Sequence, residues 1–292
     1  MEEKMINSLG LIINYRQQKP VLMGKKLIEK FKARGIKVFV LEEEGAYLGI
    51  ESTFITADFS ENVQCVIALG GDGTFLRAAR AVAPFGVPVI GINMGTLGFL
   101  TEVEVSELED ALEQLFQGKY WLEERMMLQV KINRQGKTIR NFHGLNDVVI
   151  NKGPLARLNT LKIYVDKEYV TTYKSDGVIF SSPTGSTAYS LSAGGPIVYP
   201  DIDVIIMTPI CAHTLDARPI VLPPDKIVCV KIINQADSML TIDGQSGFKL
   251  QIDDEIIIAK APYRVSMIRI KEKRFFTILR EKIKIESSVF DE

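Results

Sequence analysis

Val63-Gln64-Cys65-Val66-Ile67-Ala68-Leu69-Gly70-Gly71-Asp72-Gly73-Thr74 is the stretch that decides the fold. A strand covered on both faces reads as a continuous apolar run, and Val63–Leu69 reads as one, apolar at every position but Gln64. Three glycines in four positions then break the pattern, and Phe75–Ala83 resumes at helical spacing. Strand, tight turn and helix make the first half of a crossover unit in a parallel sheet. The same rhythm extends to both sides. Upstream, Leu9–Asn14 reads as a buried strand; after Pro20, Val21, Gly24, Leu27, Ile28 and Phe31 recur at helical spacing, Gly35 stops the helix, and Ile36–Leu41 is a second strand. Glu42–Glu44 with Gly45 reads as a solvated loop. Downstream, Val87–Ile92 predicts another strand and Ser106–Phe116 another helix.

The rhythm changes after Trp121. Short β-rich runs follow one another, among them Leu161–Val165, Tyr169–Tyr173, Gly177–Ser181, Val204–Met207, Ile227–Ile232, Met239–Asp243 and Glu255–Ala259. Turn residues such as Asn133–Gly136, Pro223-Pro224-Asp225 and Asp243-Gly244 separate them, which predicts an all-β sandwich or barrel. Pro183–Gly195 interrupts it as a turn and a short helix. Phe275–Ile285 regains helical spacing. The expected architecture is therefore α/β plus all-β. Residues 1–124, with the C-terminal helix 275–292, form a parallel-sheet α/β domain, and 125–274 form a sandwich-like β domain.

Composition narrows the function classes. The 292 residues suit about two domains at roughly 100–200 residues each. Lys and Arg number 35 against 36 Asp and Glu, so no overall positive field exists to hold a nucleic acid or an anionic membrane. Cys65, Cys211 and Cys229 are an odd set with no C-x-x-C, which argues against a disulfide framework and for a reducing cytoplasm. With only His143 and His213, a multi-histidine metal centre is not expected. Leu9–Ile13 is too short for the core of a signal peptide, and no run nears the roughly 20 residues that cross a bilayer. A cytoplasmic, ligand-handling protein is expected.

The glycine turn carries the strongest chemical signal. Glycines let a ligand approach the backbone, and N–H groups at the start of the following helix favour an anion such as phosphate. The turn matches neither G-x-x-x-x-G-K-[ST] nor G-x-G-x-x-G. Asp72 at its tip would repel a polyphosphate placed directly against it. It fits if it meets Mg²⁺, or if it takes the proton of a hydroxyl attacking phosphorus. A second glycine turn, Gly91-Ile92-Asn93-Met94-Gly95-Thr96-Leu97-Gly98-Phe99, follows the next strand. In parallel sheets ligands sit beyond the carboxyl ends of strands, so the two turns would line one crevice.

The β-rich half adds polar clusters. Asn146-Asp147 pairs an amide with a carboxylate, able to read a ribose diol or a base edge; alone it reads more readily as a turn or strand start. Thr184-Gly185-Ser186-Thr187-Ala188-Tyr189-Ser190-Leu191-Ser192 offers six hydroxyls with no charge, and Tyr189 an aromatic face. G-x-S-x-G is absent, which disfavours serine-hydrolase chemistry.

Taken together, the chain resembles the bacterial NAD kinases. The resemblance rests on Gly70–Thr74, on Gly91–Leu100, on Asn146-Asp147, and above all on Ser175-Asp176-Gly177 leading into Pro183–Pro196. It implies transfer of the γ-phosphoryl of ATP to the 2′-hydroxyl of the adenosine ribose of NAD, with a divalent cation (Mg²⁺) on the donor and no firm protein metal ligand. It also implies residue roles. Asp72 would be the base, with Gly71 and Gly73 beside the ligand, and Arg77 would reach phosphate. Asn146 and Asp147 would hold the ribose and adenine region. Arg157, Lys174 and Asp176 would add charged contacts; Lys174 stands where related sequences often carry Arg. Thr187, Ala188, Tyr189, Ser190, Leu191 and Ser192 would line the dinucleotide site, Cys211 would line a pocket, and Gln245 would close it. Polyphosphate is an alternative donor, and a homodimer or homotetramer is implied. The Gly-Gly-Asp-Gly turn is shared with diacylglycerol and sphingosine kinases, so a lipid kinase and a non-catalytic dinucleotide sensor are the competing readings.

Overall fold

The computed structural model describes residues 6–50, 55–56, 59, 63–95, 98–101, 103–153, 158–213, 216–234, 237–271 and 275–283. The chain divides into two units, Met1–Glu123 with Ser266–Glu292, and Glu124–Val265.

In the first unit a parallel sheet runs in the order Val89–Asn93, Val66–Gly70, Ser8–Ile13, Lys37–Leu41, Ile55–Thr56. Val66–Gly70 and Val89–Asn93 are buried at every position, which is why both runs are apolar without alternation. Their register sets Gly70 against Asn93, so the two glycine turns leave the same edge side by side. Helix Gln18–Ala33 begins two residues before Pro20; proline is harmless there because first-turn N–H groups have no helical partner. Its Leu27, Ile28 and Phe31 join Leu108, Ala111, Leu112 and Leu115 of helix Leu108–Phe116 in one core. Helix Asp72–Val82 packs on Val66–Gly70 and Val89–Asn93.

One expectation fails here. Glu42–Glu44 is not a solvated loop but the first turn of helix Glu42–Leu48, where acidic side chains complement the helix dipole. Glu44 is completely buried, with Arg77 as its counterion at 2.5 Å.

The second unit is antiparallel. One sheet runs Ile220–Leu222, Ile205–Ile210, Gly177–Ser181, Asp147–Lys152, Ser238–Ile242, Ser246–Lys249. Strands Glu168–Ser175, Asn159–Val165, Val228–Ile232 and Glu255–Arg269 pair in that order, and Trp121–Arg134 forms a hairpin with Lys137–Gly144. Alternate residues from both sets fill one core, including Val148, Ile150, Phe180, Leu161, Val230 and Ile258. Burying a side chain such as Phe180 contributes about 2–3 kcal/mol. Two-residue turns at Asp166-Lys167 and Gln135-Gly136 have both residues at positive φ, as tight hairpins of this twist require.

Strand Glu255–Arg269 ends in the first unit, where Met267 pairs in parallel with Val89 and Arg269 Nε meets Glu123 Oε2 at 2.5 Å. Helix Phe275–Ile283 follows, with Leu279 buried; residues 284–292 lie outside the described residues. No helix among the described residues is long and apolar enough to cross a membrane.

Candidate active site

Asp72 is the first residue of its helix, yet its side chain does not cap that helix. It reaches across to the segment after Asn93. Oδ2 accepts the Phe99 N–H at 2.8 Å, while Oδ1 accepts the Leu100 and Thr101 N–H groups at 3.1 Å each and the Thr101 hydroxyl at 3.3 Å. Gly98 makes this approach possible, because a Cβ there would overlap the carboxyl group. The turns are tied further by Met94 N–H to the Gly70 carbonyl at 3.0 Å and by the Asn93 side chain, which closes on Gly95. On the open side, a Cβ on Gly71 or Gly95 would meet nothing within 4 Å, and Gly73 is exposed. A half-exposed carboxylate is thus held rigidly among backbone that a ligand can touch.

Arg77 has partners inside this unit. Its NH2 donates to the Ile13 carbonyl at 2.7 Å, NH1 faces Glu44, and the guanidinium lies 5.3 Å from the Tyr15 ring centre. Burial holds the Glu44 carboxyl above its usual range, with Arg77 pulling the other way. The expected phosphate contact of Arg77 competes with this pairing.

In the second unit, Asn146 and Asp147 open strand Asp147–Lys152. Asn146 Oδ1 is buried with no hydrogen-bond partner among the described residues. Asp147 is 5% exposed; burial first, and then the neighbouring Asp243 charge, push its carboxyl up to about 7. Asp243, read in the sequence only as a turn residue, collects the N–H groups of Leu145, Asn146 and Asp147 at 3.1, 2.8 and 3.2 Å. A better clue in the sequence was the Asp-Gly pair ending an apolar strand, since Asp tolerates the left-handed conformation found there.

The hydroxyl-rich segment is a 3-10 turn, Thr184–Thr187, followed by the short helix Tyr189–Ser192. It is tied to Asn146: the Ser182 N–H donates to the Asn146 carbonyl at 2.9 Å, and a Cβ on Gly185 would overlap the Asn146 backbone. Thr187, Ala188 and Leu191 are half-buried, and Tyr189 and Ser192 exposed. Ser190, expected among the residues along the dinucleotide site, has its side chain beneath the surface of the segment. It is fully buried, and its hydroxyl pairs with Thr208 Oγ1 at 3.0 Å, bracing the turn from inside.

Lys174, Asp176 and Cys211 sit at the other end of these strands. Ser181 pairs with Asp147 and Gly177 with Asn151, so the two ends are roughly 13 Å apart along the strand. Lys174 and Asp176 line a concavity of about 650 Å³ with Lys152, His213 and Asn234, and Asp176 pairs with Lys152 Nζ at 3.0 Å. Cys211 is exposed at φ +46°. Gln245 is exposed just beyond the Asp243-Gly244 turn. Arg157 lies outside the described residues. Among the described residues, no three His, Cys, Asp or Glu side chains gather to hold a metal ion.

A parallel sheet with glycine turns and a seated carboxylate at one edge, followed by an antiparallel β unit, suits a phosphoryl-transferring kinase. The family models agree: the ATP-NAD kinase N-terminal domain matches residues 9–120, and the ATP-NAD kinase C-terminal domain matches 145–270. The NAD kinase of Caldanaerobacter subterraneus subsp. tengcongensis is 43% identical over 280 residues, spanning 95% of this chain and 99% of the relative. That of Moorella thermoacetica is 43% identical over 278 residues, spanning 94% and 89%. Among solved structures, yeast NADH kinase complexed with NADH superposes with a TM-score of 0.87 at 25% identity, covering 99% of this chain and 91% of that one. An NAD kinase from Archaeoglobus fulgidus in complex with ATP shares the fold, with a TM-score of 0.71 at 23% identity over 95% and 98%. The chain belongs to the ATP-NAD kinase family, and it is an enzyme of the NAD kinase class.

Proposed function

We propose that this chain transfers the γ-phosphoryl group of ATP to the 2′-hydroxyl of the adenosine ribose of NAD, releasing ADP and NADP. In this reading the O2′–phosphorus bond forms as the bond from phosphorus to the β,γ-bridging oxygen breaks. The hydroxyl proton passes to Asp72. Mg²⁺ enters on the donor phosphates as part of the substrate, where it offsets the charge of the transferring group.

The observation that carries the reading is the seating of Asp72. Among the described residues Oδ1 takes two N–H groups and a hydroxyl, whereas Oδ2 takes only the Phe99 N–H. Oδ2 therefore keeps acceptor capacity for a substrate hydroxyl, and the exposed glycine backbone beside it leaves room for that substrate. A ribose hydroxyl is a weak nucleophile at neutral pH, so holding it in line beside a base is where catalysis is needed most. Asn146 Oδ1 and the Asp147 carboxylate are acceptors without donors among the described residues, which suits the hydroxyls and amino group of an adenosine. Gly71 and Gly73 would meet phosphate, Thr187–Ser192 the dinucleotide by side chain or backbone, and Lys174, Asp176, Cys211 and Gln245 its further parts. Cytoplasmic homodimers or homotetramers complete the reading.

Purified protein given NAD, ATP and Mg²⁺ should form NADP. Asp72→Asn should lose at least about 10²-fold in kcat while keeping its circular dichroism spectrum. Wild-type turnover in that variant removes Asp72 from the base role. Running polyphosphate beside ATP determines the donor.

A further inference from the structure

Asp243 stands at the end of strand Ser238–Ile242 with φ +50°, a conformation that Asp adopts more readily than most residues. Its carboxylate accepts three consecutive N–H groups, those of Leu145, Asn146 and Asp147, and its own N–H donates to the Asp147 carbonyl at 2.9 Å. The other two carbonyls of that tripeptide go to Ser182: Leu145 to its hydroxyl and Asn146 to its N–H. All six backbone polar groups of Leu145–Asp147 are therefore satisfied by two residues. The Asn146 and Asp147 side chains, by contrast, find no donor among the described residues. A backbone locked on every polar group beneath idle acceptors is a pre-organised binding element, and pre-organisation lowers the ordering cost of binding.

We propose that Asp243 is the positioning residue of the dinucleotide site: through three backbone amides it fixes where the Asn146 and Asp147 side chains point. This rests on reading those two residues as contacts to the adenosine of NAD. The arrangement has an electrostatic corollary. Strands Gly177–Ser181 and Ser238–Ile242 and the segment Pro183–Ser192 present only uncharged side chains, so Asp243 is the charged group that acts on Asp147. Removing its charge makes Asp147 easier to ionise, and an ionised Asp147 is the form that accepts from ribose hydroxyls.

Asp243→Asn should raise KM for NAD about 10–100-fold, the loss expected when hydrogen bonds to a charged group go. KM for ATP should stay within about twofold. The acid limb of kcat/KM for NAD should move to lower pH, which a purely structural role would not produce. An Asp243→Asn protein with wild-type KM for NAD and an unmoved acid limb overturns the proposal. Hydrogen exchange on the wild-type protein tests the clamp without any variant: the Leu145, Asn146 and Asp147 amides should exchange slowly, and loop-like rates overturn it. Asn146→Ala separates the two levels. If it leaves KM for NAD unchanged, the reading of the site itself fails. If it raises KM for NAD while Asp243→Asn does not, only the positioning role fails.

Discussion

Asp72 and Asp243 do the same mechanical job in different surroundings. Each is an aspartate that gathers three successive backbone amides from another segment, Phe99–Thr101 in one case and Leu145–Asp147 in the other. Asp72 is half-exposed at a helix start amid open glycines, whereas Asp243 is 7% exposed and acts electrostatically on a second carboxylate, Asp147. The comparison teaches that an amide-binding carboxylate is a scaffold by default. Whether it also does chemistry depends on what else its oxygens can reach; under the proposed function Asp72 meets a substrate hydroxyl, and the role proposed for Asp243 is positioning alone.

Matched glycine substitutions sharpen this contrast, with expected effects next in size to those of Asp72→Asn and Asp243→Asn. A methyl on Gly98 would overlap the Asp72 carboxyl, whereas one on Gly144 would lie 3.2 Å from Asp243 Oδ1 and 2.9 Å from Ile242 Cγ2. Gly98→Ala should cut kcat about tenfold or more, the scale on which a misplaced catalytic group costs rate. Gly144→Ala should leave kcat near wild type and raise KM for NAD a few-fold. Steady-state kinetics on both variants checks the split, and a kcat loss confined to Gly144→Ala would break the comparison.

The next effect is on stability. Native Asp147 keeps its proton up to about pH 7, whereas the unfolded chain releases it near 3.8. Between those values the native state binds more protons, so stability falls as pH rises from about 4 to about 7 and is level above. Glu44, also raised by burial, adds to the same slope. Thermal melts across that range should show the decline, and Asp147→Asn should flatten it in part. A slope that Asp147→Asn leaves untouched would mean Asp147 titrates normally. The smallest effect belongs to Asp176, a carboxylate with a lysine partner. The Lys152–Asp176 pair is about a third exposed on each side, so Asp176→Asn should change stability by no more than about 1 kcal/mol in denaturant titrations.

What the sequence made legible follows from burial. Val66–Gly70 and Val89–Asn93 are covered on both faces, so their apolar runs announced a parallel sheet, and the short β-rich runs with turn residues between them after Trp121 announced an all-β unit. The glycine turn with Asp72, Asn146-Asp147 and the hydroxyl-rich segment stood out because their residue types are unusual together. Three things stayed hidden, each for a long-range reason. Glu44 looked like part of a wet turn because its counterion, Arg77, comes from a distant helix. Ser190 looked like its neighbours because nothing local shows that Thr208 takes its hydroxyl. Asp243 looked like a turn residue because its partners lie nearly a hundred positions away. Residues that form one motif set along the chain are also dispersed in space, with Asp147 and Asp176 at opposite ends of the same strands.

Asp72, Asp176 and Asp243 share one further feature: each is followed by glycine. In such pairs the peptide nitrogen of the glycine can attack the carbon of a mobile Asp carboxyl and expel water, closing a succinimide that water reopens as isoaspartate. Three amides restrain the carboxyl of Asp72 and three that of Asp243, while among the described residues Asp176 has only an ammonium group at 3.0 Å. Chemical ageing of the folded protein should therefore begin at Asp176 and spare the two clamped sites. Isoaspartate at position 72 or 243 would be a record that the molecule had once come undone.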